Sequence, residues 1–215
     1  MDLALSLFLL LFALPVMLLC GIILCVQLKE FPIFIQERGI TLDKFRYKII
    51  KFRTMKKNKY NLSEDKESNN IFYKPEHSEK LTKFSKWLRI TGLDELPQLF
   101  NVIAGKMSLI GPRPLMLSDL ELLKQKYPEQ YLKRESFNSV PGISGLWQIY
   151  GQREKGIDNL IDLENAYEKS GSFVMDLKLI LATIPIIVFA NHTDAILGSR
   201  KARVCRQTIT AGCRQ

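Results

Sequence analysis

The sequence is poor in the residues that build disulfide-held and zinc-held domains. Among its 215 residues are four cysteines and two histidines. Cys20, Cys25, Cys205 and Cys213 form no CxxC pair, so neither a zinc site nor a disulfide framework is expected, and a reducing compartment is. Charge is also missing, from Leu3 through Val26. That run exceeds the roughly 20 apolar residues that cross a bilayer as a helix, so the chain is expected to be membrane-bound. Ahead of the run stand Met1 and Asp2, with no positive residue, which argues against a cleaved signal peptide. Met17, Leu18 and Leu19 before Cys20 are not the small residues of a lipoprotein cleavage site. No internal repeat and no sign of a second domain interrupt the rest.

What is abundant is positive charge. Thirty-one Lys and Arg against 22 Asp and Glu leave a formal net charge of +9, which suits anionic partners: lipid head groups, phosphorylated substrates or nucleic acid. The basic body starts at Lys29, which by the positive-inside tendency puts it on the cytoplasmic face of the membrane. Pro15, inside the apolar run, removes a backbone donor and clashes with the preceding turn. Two readings follow, a kinked span or a helix that turns back.

Lys44 to Met55, KFRYKIIKFRTM, alternates apolar and basic residues and slips at Ile49-Ile50, predicting a strand with a bulge. One of its faces presents cations in a row, Lys51 and Arg53 among them, as a phosphate-binding surface or a solvated basic face would. Residues 56–80 are polar and aperiodic and read as a surface loop, in the position of a lid. Leu81, Phe84 and Leu88 then recur at helical spacing, with Trp87 and the cations Lys83, Lys86 and Arg89 on other faces. That helix suits a membrane surface or a protein core equally.

Thr91 to Val102, TGLDELPQLFNV, sets Asp94 and Glu95 side by side where a helix should begin, since Pro97 belongs in a first turn. The plain structural reading makes Asp94 an N-cap, or Thr91 and Asp94 a capping box, with Glu95 complementing the helix dipole. The chemical reading makes the pair a reaction centre, because a carboxylate at such a position stays ionised and can act as nucleophile or Mg²⁺ ligand. GPRP at Gly111 to Pro114 favours the second: two prolines of fixed φ display the Arg113 guanidinium from a stiff backbone. Acid pair, helix end and rigid arginine together point to phosphoryl transfer. VPGISGLWQIYGQR, Val140 to Arg153, is punctuated by glycine and places Trp147, Gln148, Tyr150 and Arg153 near loop positions. Leu160 to Tyr167 reads as a helix, and the apolar segment after it, cut by Asp176, Lys178 and Pro185, as an interfacial or core element.

In the order QER, KFRTM, LDELPQLFNV, GKMSLIGPRP and PGISGLWQ, then Tyr167, Ser172 and DLK at Asp176 to Lys178, the chain resembles the bacterial sugar transferases, the monotopic phosphoglycosyl transferases. The resemblance runs from about Asp2 to Phe189. It implies transfer of a phospho-sugar from a nucleotide diphosphate sugar, usually a UDP-sugar, to polyprenyl phosphate. UMP leaves, and a polyprenyl-diphosphate-sugar forms as the first membrane step of a surface glycan. It also implies Mg²⁺ and a covalent phospho-sugar on the dyad aspartate. Carried onto this sequence, the nucleophile and metal ligand is Asp94 and its catalytic neighbour is Glu95. Arg89 and Arg113 match family arginines, and with Lys51, Arg53, Gln148 and Arg153 they form the expected substrate-binding set. Departures from the family pattern are Leu14 before Pro15, Val140 before Pro141-Gly142, Gly151-Gln152-Arg153, and Glu164 three residues before Tyr167. The N-terminal segment of the family enters the membrane and returns, the route the resemblance favours here.

The expected organisation is α/β (α+β). Residues 1–28 form a membrane helix broken at Pro15, residues 29–190 a catalytic domain on the cytoplasmic face of the bacterial inner membrane, and residues 191–215 a basic polar tail. Expected partners are a nucleotide-sugar donor, polyprenyl phosphate and the lipid bilayer, and not nucleic acid, for which stacking aromatics in a recognisable pattern are missing. The competing reading is a membrane-anchored, non-catalytic protein that holds anionic lipid or nucleic acid on its basic surface.

Overall fold

The structure is a computed structural model that describes residues 2–56, 81–152 and 155–188. The expected loop after Lys56, Arg153 and the tail from Asn191 lie outside the described residues.

The uncharged run is a single helix, α1 (Asp2–Leu28), assigned without interruption through Pro15, which sits on its exposed side. Its apolar residues are not equivalent. Met17, Cys20, Leu24 and Leu28, at helical spacing, are buried against Phe52 and Leu88, and Leu5, Leu10 and Ala13 continue the stripe against Leu99, Val102 and Leu109. The Asp2 carboxylate at its start accepts a 2.6 Å hydrogen bond from Ser108. Lys29, with φ at 55°, ends it in a left-handed turn. The helix is therefore docked along its whole length on the body that follows it. The opposite side exposes Leu7, Phe8, Leu11, Leu18, Ile22 and Val26.

Strand β1 (Ile33–Gly39) pairs antiparallel with β2 (Tyr47–Phe52) in unbroken one-to-one register from Ile33–Phe52 to Arg38–Tyr47. The expected bulge at Ile49-Ile50 is absent. Ile50 instead lies beside Lys48 and Phe52, a face half covered by α1, so the second apolar residue costs nothing and no slip is needed. As a result Lys51 shares a face with Ile49 and Tyr47, opposite Phe34, Gln36 and Arg38. After α2 (Lys83–Thr91), capped by the Thr82 hydroxyl accepting from Ser85 N–H, the chain passes through a 3-10 helix (Leu93–Gln98) into α3 (Leu99–Ile103). Gly105 then turns it at φ 70°.

Strand β3 (Ser108–Ile110) lies parallel to β5 (Gly142–Ser144), and β4 (Leu115–Met116) adds to the edge of β1. Helices α4 (Leu117–Lys126), α5 (Pro128–Glu135), α6 (Leu146–Tyr150) and α7 (Gly156–Ser170) close a second core around Leu120, Leu123, Tyr131, Trp147, Leu160 and Ile161. Trp147, Gln148 and Tyr150 thus stand on a short helix, not on a loop. The last described helix, α8 (Phe173–Val188), packs Leu179 on Ile110 and Tyr167 and leaves Phe173, Val174, Leu177, Leu181 and Ile184 exposed. The fold is mixed α/β, with small sheets held between two helical cores.

Candidate active site

The dyad is delivered by a glycine. Gly92 adopts a left-handed φ of 74°, ends α2 and starts the 3-10 helix with no side-chain cap. Asp94 is consequently not an N-cap, and no capping box forms, because the Thr91 hydroxyl donates back to the carbonyls of Trp87 (2.9 Å) and Leu88 (3.1 Å). The glycine turn does the work that a cap would have done. With three residues per turn, adjacent carboxylates on a 3-10 helix diverge by about 120°. Glu95 faces a narrow polar cleft. Asp94, half-buried, lies beside it and does not line it.

Arg38, Gln98, Arg113 and Gln148 complete the polar lining of that cleft, which has room for about one water molecule. Each comes from a different element. Arg38, at the end of β1, donates from Nη1 to the Pro114 carbonyl (3.2 Å) and from Nε and Nη2 to the Gln36 amide oxygen (3.4 and 3.3 Å). Gln98 closes the 3-10 helix and Gln148 stands on α6, both buried. Arg113 is fixed by its backbone. Gly111 N–H donates to Ser144 (2.9 Å) and Gly142 N–H to Pro112 (3.0 Å), and a Cβ on Gly142 would collide with the Gly111 nitrogen. GPRP and PGISG are thereby clamped together at a distance only glycine allows.

The remaining candidates spread out. Lys51 lies over the Phe34 ring on the strand face shared with Ile49, a cleft residue. Arg53 covers the same ring, but its guanidinium donates to the carbonyls of Phe31 (3.1 Å) and Ile33 (3.3 Å) and lies 3.8 Å from Glu30, outside the cleft lining. Arg89, in the last turn of α2, reaches the Met55 sulfur at 3.8 Å and is likewise outside the lining. The structure therefore gathers Glu95, Arg113 and Gln148 around one cleft, with Asp94 next to Glu95 in the chain and Lys51, Arg53 and Arg89 outside the lining.

Arg38 and Gln98 escaped the sequence reading of the site, although both fall inside motifs quoted from it, QER and LDELPQ. Asn101 escaped too. Its side chain donates to Lys48 C=O (2.8 Å) and accepts from Ile50 N–H (3.0 Å), replacing a neighbouring strand along the open edge of β2 and fixing that strand to the dyad segment. The Tyr47 hydroxyl, opposite Arg38 in the sheet, is buried without a hydrogen-bond partner among the described residues. Burial pushes its phenol above the ordinary range; Arg38 pulls it down and Glu95 pushes it up. Tyr167 is also pushed up, first by burial and then by the Asp176 carboxylate that accepts its proton at 2.8 Å.

Next to the cleft opens a larger apolar groove of about 450 Å³, within the size of sites that bind small molecules. Phe12 and Val16 of α1 form one wall, Ile180 and Ile184 of α8 the other. Glu95 and Gln148 line this groove as well as the cleft. One carboxylate thus borders both an apolar channel and a polar pocket.

Among the described residues no three His, Cys, Asp or Glu side chains gather into a metal cage. Mg²⁺ is seldom held by protein alone and often takes one carboxylate, with substrate phosphates and water completing its shell. The half-buried Asp94 carboxylate is of the type such a site uses.

The fold and site define an α/β chain with a long apolar helix and a carboxylate-arginine cleft opening under an apolar groove. Residues 1–190 match the pattern of the bacterial sugar transferase family, and the chain belongs to that family. It is 31% identical over 185 residues to galactosyl transferase CpsE of Streptococcus agalactiae, covering 81% of this chain and 40% of that protein. To the exopolysaccharide production protein ExoY of Sinorhizobium fredii it is 35% identical, covering 74% of this chain and 71% of that one. The undecaprenyl-phosphate galactose phosphotransferase of Salmonella typhimurium is 33% identical over 116 residues, 54% of this chain and 23% of that protein. The chain therefore spans well under half of some relatives and most of others.

Proposed function

We propose that the protein transfers a phospho-sugar from a nucleotide diphosphate sugar, a UDP-sugar, to polyprenyl phosphate at the cytoplasmic face of the membrane, initiating a surface glycan. The observation that carries this reading is the shared border: Glu95 and Gln148 face both the arginine cleft and the apolar groove between α1 and α8. A soluble diphosphate and a lipid-borne phosphate need such a meeting point. The names of relatives, a galactosyl transferase and an undecaprenyl-phosphate galactose phosphotransferase, agree with it.

In this mechanism Arg38 and Arg113 meet the donor phosphate oxygens at the mouth of the cleft, which is too small to enclose a diphosphate, through charge-assisted hydrogen bonds, and Lys51 adds positive charge farther along the sheet. An Asp94 carboxylate oxygen attacks the phosphorus that carries the sugar. The bond from that phosphorus to the bridging oxygen breaks, and UMP leaves with the oxygen. A phosphate oxygen of the acceptor, seated with its tail in the groove, then attacks the same phosphorus, and the acyl-phosphate bond breaks to restore Asp94. Glu95, turned toward both pockets, orients the acceptor phosphate and handles its proton. Asp94 would hold Mg²⁺, which would supply neutralisation of the diphosphate charge. Arg53 serves the structure by tying the end of β2 to the start of β1.

The test is to incubate the purified full chain in lipid nanodiscs with polyprenyl phosphate and a panel of UDP-sugars, following UMP. Release with at least one sugar, dependent on polyprenyl phosphate for continued turnover, is expected. Binding of lipid or nucleic acid with no UMP from any donor would replace the enzyme reading with that of a binding protein.

A further inference from the structure

Two charged side chains far from the dyad are completely enclosed. Arg134, in the last turn of α5, and Glu164, in the middle of α7, are 0% and 2% exposed and form an ion pair. Such a pair is a poor way to stabilise a core, since desolvation consumes most of the attraction and apolar residues of similar volume do as well or better. What distinguishes this one is where its spare hydrogen bonds go. The second Glu164 oxygen accepts the N–H of Arg113 at 2.8 Å, and the Arg134 Nη2 donates to the C=O of the same Arg113 at 2.7 Å. Arg134 Nε donates to Ile40 C=O (2.9 Å), just past β1, the strand that carries Arg38.

Both peptide groups of Arg113 are thus gripped, in a residue whose freedom is already cut by Pro112 and Pro114. The Arg38 guanidinium holds the next carbonyl, Pro114, at 3.2 Å. The main chain of the GPRP turn is consequently referenced to α5, α7 and β1 at once. Nothing comparable is needed to keep a surface loop in place; it is what a guanidinium needs if it must meet a ligand to within a fraction of an ångström.

We propose that the buried Arg134–Glu164 pair is a positioning device for Arg113, holding its backbone so that its guanidinium is presented to a diphosphate at the mouth of the cleft. The inference rests on the diphosphate-binding part of the function proposed above and not on the transfer chemistry. Neither residue touches the ligand; both act through Arg113.

The experiment is a double-mutant cycle on the purified full chain in detergent, with inorganic pyrophosphate as the probe and calorimetric affinity and melting temperature as readouts. Arg134→Met combined with Glu164→Leu replaces the pair by apolar groups of similar size; it leaves the backbone groups of Arg113 and Ile40 unpaired, so it should fold but melt below the wild type. It should also weaken pyrophosphate binding by about tenfold or more, as misplacing one charged donor does. In an Arg113→Gln background the same replacement should cost nothing further, because its effect runs through Arg113. Should the apolar variant fail to fold, Glu164→Gln takes its place, with a smaller loss and the same non-additivity expected. Unchanged pyrophosphate affinity in the pair variants, an equal loss with and without Arg113, or no pyrophosphate binding by the wild type would each overturn the inference. UMP release is scored separately: its absence alongside the expected cycle defeats the transferase reading and leaves the positioning role standing.

Discussion

At the scale of residues, a 3-10 helix turns the two acids of the dyad apart, which suits the separate tasks proposed for them. Asp94→Asn should abolish turnover, by roughly a thousandfold or more, since an amide cannot form the acyl phosphate. The variant should fold, as Asp94 is half-buried and caps no helix. UMP release and circular dichroism melting check both points, and wild-type turnover would remove Asp94 from the mechanism. Arg38→Gln deletes a charged donor from the cleft. The loss of about 1.5–3 kcal/mol corresponds to about 10- to 150-fold in donor affinity, readable by equilibrium binding. Arg113 was legible because the two prolines beside it act through covalent geometry. Arg38 was not, because its place in the cleft depends on sheet register. The alternative reading of Asp94 as a cap failed on Gly92, which takes the position before the 3-10 helix in a left-handed turn and leaves Asp94 inside the helix.

At the scale of elements, α1 is long and apolar enough to cross a membrane, yet it is docked from Leu5 to Leu28 on the body, with Asp2 bonded to Ser108. The re-entrant reading fits this docking and predicts that both helix ends lie on one side of the membrane. With the native cysteines replaced, a cysteine at Asp2 should react with an impermeant reagent in inverted vesicles and not in intact cells; labelling from outside would show a span. Glu168, on α7, secures the turn before β5. Its carboxylate accepts the N–H groups of Asn138 (2.7 Å) and Ser139 (3.1 Å). Burial alone would raise it, but these bonds and Lys44 hold it below its ordinary value of 4.5. A depressed carboxyl stabilises the fold fully above the unfolded value and ceases to do so as pH falls through the folded one. Glu168→Gln should thus lower the melting temperature at neutral pH, and its difference from the wild type should shrink below about pH 4.5. A difference that stays constant down the acid limb would show that the carboxylate charge is not what secures the turn.

At the scale of the whole molecule, the exposed leucines, isoleucines and phenylalanines of α1 and α8 form apolar surface on both sides of the groove mouth. Burial of that surface in lipid, with the +9 charge as an addition, would set the membrane affinity of the proposed membrane-bound form. In about 1 M salt, where the Debye length is about 3 Å, electrostatic attachment is screened and apolar attachment is not. The protein should stay in the membrane pellet through such a wash and require detergent for release. Recovery in the salt supernatant would make it a peripheral, charge-held protein.

Composition and local covalent constraint pointed to a membrane-associated chain and to phosphoryl-transfer chemistry, and the order of the motifs to the sugar transferase family: an uncharged run long enough to enter a bilayer, a paired acid ahead of Pro97, an arginine between two prolines. Each is a property of neighbours in the chain, so it survives without knowing the fold. What tertiary structure alone decided lies between distant segments. An unbroken β1–β2 register removed the bulge and turned Lys51 toward Ile49. Helices α1 and α8, from opposite ends of the described chain, made the groove. Arg134 and Glu164, each an ordinary charge on an amphipathic helix when read in sequence, became a buried pair gripping Arg113. Burial and hydrogen-bond direction are set by packing across the fold, and no window of sequence contains them.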